Sequence, residues 1–107
     1  MKRGDLVTIA VAGDYGKPRP ALVIQSDAFA LHPSVTVLLL TGEIHDAPLL
    51  RILVDPGGDT GLRKPSQIMV DKAMTVPRGK VGITIGRVPP ATLTKVSQAL
   101  AAFLELP

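Results

Sequence analysis

Apolar and polar positions divide the chain into short segments with two periodicities. Leu6 to Ala12 is rich in β-branched residues and predicts a first strand. Gly13-Asp14-Tyr15-Gly16-Lys17-Pro18 is turn chemistry. Ala21 to Gln25 predicts a second strand, and Ser26 to Ala30 a short helical turn capped by Ser26. Val35 to Leu40 is apolar on both faces, which predicts a central strand. Leu49 to Val54 predicts a fourth strand, closed by the turn signal Asp55-Pro56-Gly57-Gly58. Gln67 to Val76 alternates loosely and predicts a fifth strand, with Asp71 and Lys72 in its middle. Val81 to Val88 predicts a sixth, whose Gly82 and Gly86 suggest a bulge or a close backbone approach. The period then changes. Pro90 suits a first helical position, and Leu93, Val96, Leu100, Phe103 and Leu104 share one helical face. An amphipathic helix must pack on something, and the sheet is the large surface available. The expected architecture is one domain over residues 1–107: a curled, mostly antiparallel sheet or barrel with a C-terminal helix.

The segment Lys17-Pro18-Arg19-Pro20 changes this from a fold problem to a chemical one. Pro20 holds Arg19 towards an extended backbone, and Pro18 has a fixed φ and no N–H. A planar five-donor cation therefore stands on stiff backbone at a strand mouth. Such a group can stabilise charge developing on a phosphate, although an ordinary solvated arginine fits the same local sequence. If strands two and three pair antiparallel, Arg19 before one meets Thr41 after the other at the same edge of the sheet.

Composition narrows the chemistry. The chain has no cysteine, so thiolate metal sites and cysteine nucleophiles are excluded. His32 and His45 share no motif; no metal or cofactor is expected, and neither is expected to act as a base. With 3% aromatics, stacking cannot be the main mode of binding a nucleic acid. The net charge of +3 is uneven: residues 1–50 hold 4 basic and 5 acidic groups, residues 51–107 hold 8 and 4. That balance is compatible with a polyanionic partner. The N-terminus has no signal-like apolar stretch and Val37–Leu40 is too short to span a bilayer, so a cytoplasmic protein without a membrane association is expected.

Several pieces, in order, resemble the MazF/PemK (Kid) toxins. They are Arg3-Gly4-Asp5-Leu6-Val7, Arg19-Pro20-Ala21-Leu22-Val23-Ile24 and Asp27-Ala28-Phe29, then Leu39-Leu40-Thr41, Gly61-Leu62 with Ser66, Val70-Asp71 with Thr75-Val76, and Ile85-Gly86-Arg87-Val88 before Pro90. The resemblance implies an SH3-like barrel of the CcdB/PemK type and a homodimer. It implies a metal-independent endoribonuclease that cuts single-stranded RNA, leaving a 2′,3′-cyclic phosphate and a 5′-OH, and that is blocked by a cognate antitoxin. It maps the catalytic pair onto Arg19 and Thr41. Asp71 matches a base proposed in the Kid branch, while that branch's acid arginine is replaced by Met69. The usual Asp-Gln-Ile-Arg-Thr strand here reads Asp71-Lys72-Ala73-Met74-Thr75. RNA contacts are expected from Asp14, Tyr15, Lys17, Ser66, Gln67 and Lys72, with Arg63 and Lys64 able to follow the backbone. Two other functions fit the same outline: a gyrase-binding toxin of the CcdB type, and a non-catalytic SH3-like module that binds RNA or a partner.

Overall fold

The computed structural model describes residues 1–10 and 17–107. Among the described residues six strands form one antiparallel sheet: β1 (Asp5–Ala10), β2 (Pro18–Val23), β3 (Ser34–Thr41), β4 (Arg51–Val54), β5 (Ser66–Pro77) and β6 (Val81–Arg87). Their spatial order is β4-β5-β3-β2-β1-β6. The helix α1 (Pro90–Phe103) follows, with Pro90 in its first turn as expected. The expected helical turn after β2 is a single 3-10 turn, Asp27–Phe29, whose cap Ser26 accepts from the Ala28 N–H at 3.2 Å.

The sheet curls until its edges share a core. Val54 on β4 and Val88 beyond β6 lie in one buried cluster with Leu6, Leu22, Leu38, Leu40, Ile68, Val70 and the helix residue Val96. A second cluster, Val7, Ile9, Ala21, Val23, Val35 and Val37, lies on the opposite face of the central strands. The apolar-on-both-faces reading of β3 is thereby explained, because its alternate residues enter different cores. The curl closes where residues 57–61 lie on β6. Gly61 has φ +71°, and a Cβ there would lie 2.0 Å from the Ile85 carbonyl oxygen; one on Gly86 would lie 2.3 Å from that of Asp59. Only glycine fits such approaches.

Boundaries of β2 and β4 and the register of β5 depart from the sequence reading, and β2 also ends at Val23 rather than Gln25. β2 starts at Pro18 rather than Ala21, because Pro18, Arg19 and Pro20 pair with Ala10, Ile9 and Thr8. β4 starts at Arg51: Ala47 O accepts from both Leu50 N and Arg51 N, so Leu49 belongs to a turn and is exposed. In β5 the register jumps, with Leu40 opposite Ile68 but Leu38 opposite Ala73. Residues 69–72 are therefore a wide bulge, and Val70 N turns to Leu50 O at 2.9 Å. The helix also covers less than its pattern suggests. Val96 is buried, but Phe103 and Leu104 are about half exposed. Among the described residues, no helix is long and apolar enough to cross a membrane.

Candidate active site

The two prolines around Arg19 build the site. β1 pairs with β2 as far as the Ala10–Pro18 position, but the β2–β3 ladder stops at Ala21–Leu39. Residues two apart in a strand point their N–H groups to the same side, so both missing proline donors fall on the side facing β3. The ladder opens there into a notch. Arg19 reaches across it, and its Nη2 donates to the Leu40 carbonyl at 3.4 Å. Continuing the register of Ala21 with Leu39 by two residues places Arg19 opposite Thr41, the juxtaposition expected from the sequence.

The registers extend this pair into a cross-strand row. Ile9 faces Arg19, Thr41 faces Gln67, and Gln67 faces Leu53. Residues directly opposite in antiparallel strands share a face, so these side chains stand side by side. Arg19 and Thr41 are half-buried. Thr41 Oγ1 accepts the Glu43 N–H at 3.1 Å, which leaves its own proton to donate.

A second cation joins them. Gly42 follows Thr41, and a Cβ on it would lie 2.5 Å from Cε and 2.6 Å from Nζ of Lys64. The Lys64 side chain thus lies over the backbone beside Thr41. Its own carbonyl accepts from Ser66 Oγ at 3.2 Å. Lys64 is expected from the sequence only as a charge that follows the RNA backbone; its place beside Gly42 comes from the fold, since nothing local connects the two.

The other expected residues are distributed unevenly. Lys17 is exposed at the entrance to β2, and Lys72 is exposed on the bulge. Ser66 and Gln67 are buried. The Gln67 amide accepts from His45 N and donates to His45 O, both at 2.9 Å. It holds the loop after Thr41, a job that loose strand alternation did not signal. Asp14 and Tyr15 lie outside the described residues. Asp71 ion-pairs with Arg51 and stands four residues beyond Gln67 on the bulge. Partial burial works to raise its pKa. The hydrogen bond from Arg51, a backbone hydrogen bond and the positive charges of Arg51 and Lys72 outweigh it and leave the carboxyl below its ordinary range. Among the described residues no three His, Asp or Glu side chains are grouped to hold a metal ion.

This arrangement presents a rigid arginine, a hydroxyl with a proton to give, and a lysine, all at one opened sheet edge. Against known proteins, the model for the PemK-like, MazF-like toxin of type II toxin-antitoxin systems matches residues 2–104. The chain belongs to this toxin family. A protein of Mycolicibacterium smegmatis named "Probable endoribonuclease MazF" is 46% identical over 107 residues, covering 99% of this chain and 98% of that protein. An endoribonuclease from a mycobacterial species, solved in complex with its cognate antitoxin, aligns with TM-score 0.79 at 27% identity over 100% of this chain and 97% of that one. The fold also matches the Mycobacterium tuberculosis toxin MazF-mt6, with TM-score 0.82 at 22% identity over 96% and 98% of the two chains. The expected mainly β toxin fold with a C-terminal helix is thus the observed one.

Proposed function

We propose that this endoribonuclease toxin cuts single-stranded RNA at the row of Arg19 and Thr41, using the RNA's own 2′-OH as nucleophile. The observation that carries the reading is their cross-strand placement at the end of the β2–β3 ladder. Arg19 stabilises the charge that builds on the phosphorane oxygens. Thr41 orients a phosphate oxygen with its remaining proton. Lys64 beside Gly42 adds a second cation for the same phosphate or its neighbour. The products are a 2′,3′-cyclic phosphate and a 5′-OH, and no metal is required. Lys17 and Lys72, both exposed, follow the RNA backbone on either side.

The chain works in the cytoplasm, as a homodimer that a cognate antitoxin binds and blocks. Exposed apolar residues on several elements, among them Leu49, Leu53, Ile83 and Phe103, support association through protein surfaces. Sedimentation at micromolar concentration tests the dimer; a monomer at all concentrations would reject it. The cleavage reading is tested with an RNA carrying a single 2′-deoxy nucleotide at a mapped cut. That bond should resist the protein while neighbouring sites are cut. Normal cleavage of the substituted bond would refute 2′-OH attack.

A further inference from the structure

The row of Arg19 and Thr41 holds a cation and a hydroxyl, but neither takes up a proton readily near neutral pH. Asp71 is a poor substitute, since its carboxylate is committed to Arg51 and its affinity for a proton is lowered. The loop leaving Thr41 offers another group, because it returns to the row at a second point. The Glu43 N–H donates to Thr41 Oγ1 at 3.1 Å. The Glu43 carboxylate lies 3.6 Å from His45 Nε2. His45 exchanges two 2.9 Å hydrogen bonds with the Gln67 amide, and Gln67 is the cross-strand partner of Thr41. These contacts close a ring: Thr41, Glu43, His45, Gln67. The anchor of the ring is shielded, with Gln67 at 6% exposure, while the His45 side chain keeps 58% of its surface open. The backbone of the loop is thus fixed from below by Gln67, and the imidazole, beside Glu43, stays open to solvent.

We infer that His45 is the proton-transfer group of this site, an assignment that rests on the RNA-cleavage reading above. The Glu43 carboxylate lies on the Nε2 side of the ring, and in the neutral tautomer protonated at Nε2 the Nδ1 lone pair serves as the base. The 2′-OH proton passes to Nδ1 as the O2′–P bond forms. The P–O5′ bond breaks, the 5′-oxygen takes a proton from water, and the imidazolium returns its proton to solvent. Among the described residues, the charged groups of this loop and of the residues it meets are Glu43 and Asp46 on the loop itself, Lys64 over Gly42, and Arg19 on β2. Gln67, packed beneath, is uncharged.

The test is the pH dependence of kcat and KM for the full chain and its His45→Gln variant on an RNA with one mapped cut. The wild type should show an acid limb within about pH 5–8, where imidazoles titrate. His45→Gln should lose the limb and fall about a hundredfold in kcat. Its KM, its Kd for the 2′-deoxy RNA and its Tm should stay close to wild type, whereas a group that merely shapes the loop would raise KM and leave the limb in place. Wild-type kcat in His45→Gln, or a slowed variant that keeps the limb, would overturn the assignment. Arg19→Ala is assayed in parallel. If it cuts at the wild-type rate, the site reading fails and His45 fails with it; if it is dead while His45→Gln is normal, only His45 is wrong.

Discussion

Gly42→Ala separates binding from stability at this site. The new Cβ would meet Lys64 Cε at 2.5 Å and Nζ at 2.6 Å, closer than the 3.0 Å below which something must move. What moves is the end of a flexible side chain, with no backbone in the way. Gly42 is not among the glycines with positive φ, so alanine adopts its backbone without strain. Gly→Ala at such a position stabilises by about 0.4–1 kcal/mol through the unfolded chain. The fold should therefore be as stable as wild type or slightly more so, while the ammonium leaves its place beside Thr41. Losing one phosphate contact on a single strand lowers the slope of log K against log salt by about 0.7, or about fourfold in affinity at 0.15 M salt. Fluorescence anisotropy of a 2′-deoxy RNA titrated across salt reads both quantities. Lys64→Ala should give the same loss, and the double variant should add little to either. A Gly42→Ala protein with wild-type affinity and salt slope, or one that melts several degrees lower, would refute the reasoning.

Asp71→Asn should cleave RNA at close to the wild-type rate but lose about 1–2 kcal/mol at pH 7, since it leaves the mostly buried Arg51 guanidinium without its carboxylate. The folded carboxyl titrates below its unfolded value, so this stability is present above about pH 4 and is lost as pH falls through the lower folded value. Urea melts of both proteins should therefore converge in acid; a constant gap would contradict the pairing. Gln67→Leu removes both hydrogen bonds to His45, so amide exchange over residues 43–47 should accelerate and cleavage should fall at least about tenfold. Unchanged exchange would mean that the loop is held by something else. Gly61→Ala combines positive φ with a Cβ 2.0 Å from the Ile85 carbonyl, and should cost roughly 2–4 kcal/mol, visible as a Tm lower by about 10 °C or more. A melt within a degree or two of wild type would show that the 57–61 segment does not close the sheet.

The sequence made the central pair legible because it depended on one inference, antiparallel pairing of two adjacent apolar strands. Once β2 and β3 pair, the position of Arg19 relative to Thr41 follows from register alone. The role of the prolines was only half legible. Their stiffness is local, but the opening of the ladder on one side requires knowing that β1 lies on the other. Gln67, expected from the resemblance to contact RNA, is buried against a loop 22 residues earlier in the chain, a contact that strand alternation does not signal. Asp71 sits where strand alternation predicts an exposed carboxylate. The bulge across residues 69–72 turns it to Arg51 on an edge strand instead, and nothing local announces a bulge four residues long. The apolar Leu49 predicts strand, yet the Ala47 carbonyl captures the N–H groups of Leu50 and Arg51 in a turn. Some motifs that carry the family resemblance serve the fold. Arg3 donates to Ile24 O at 3.1 Å and to Ser97 Oγ at 2.9 Å, and the Asp27 carboxylate accepts from the Arg3 N–H at 2.8 Å, tying the N-terminus to the helix.

The central claim is that Arg19 opposite Thr41 makes this sheet edge a nuclease. A long RNA incubated in chelator with the wild-type chain and with Arg19→Ala, followed by mapping of the 5′ ends, addresses it directly. Discrete cuts with 5′-OH ends are expected for the wild type and none for Arg19→Ala, at closely similar melting temperatures. Wild-type cleavage by Arg19→Ala, or cuts that appear only when magnesium is added, would contradict it.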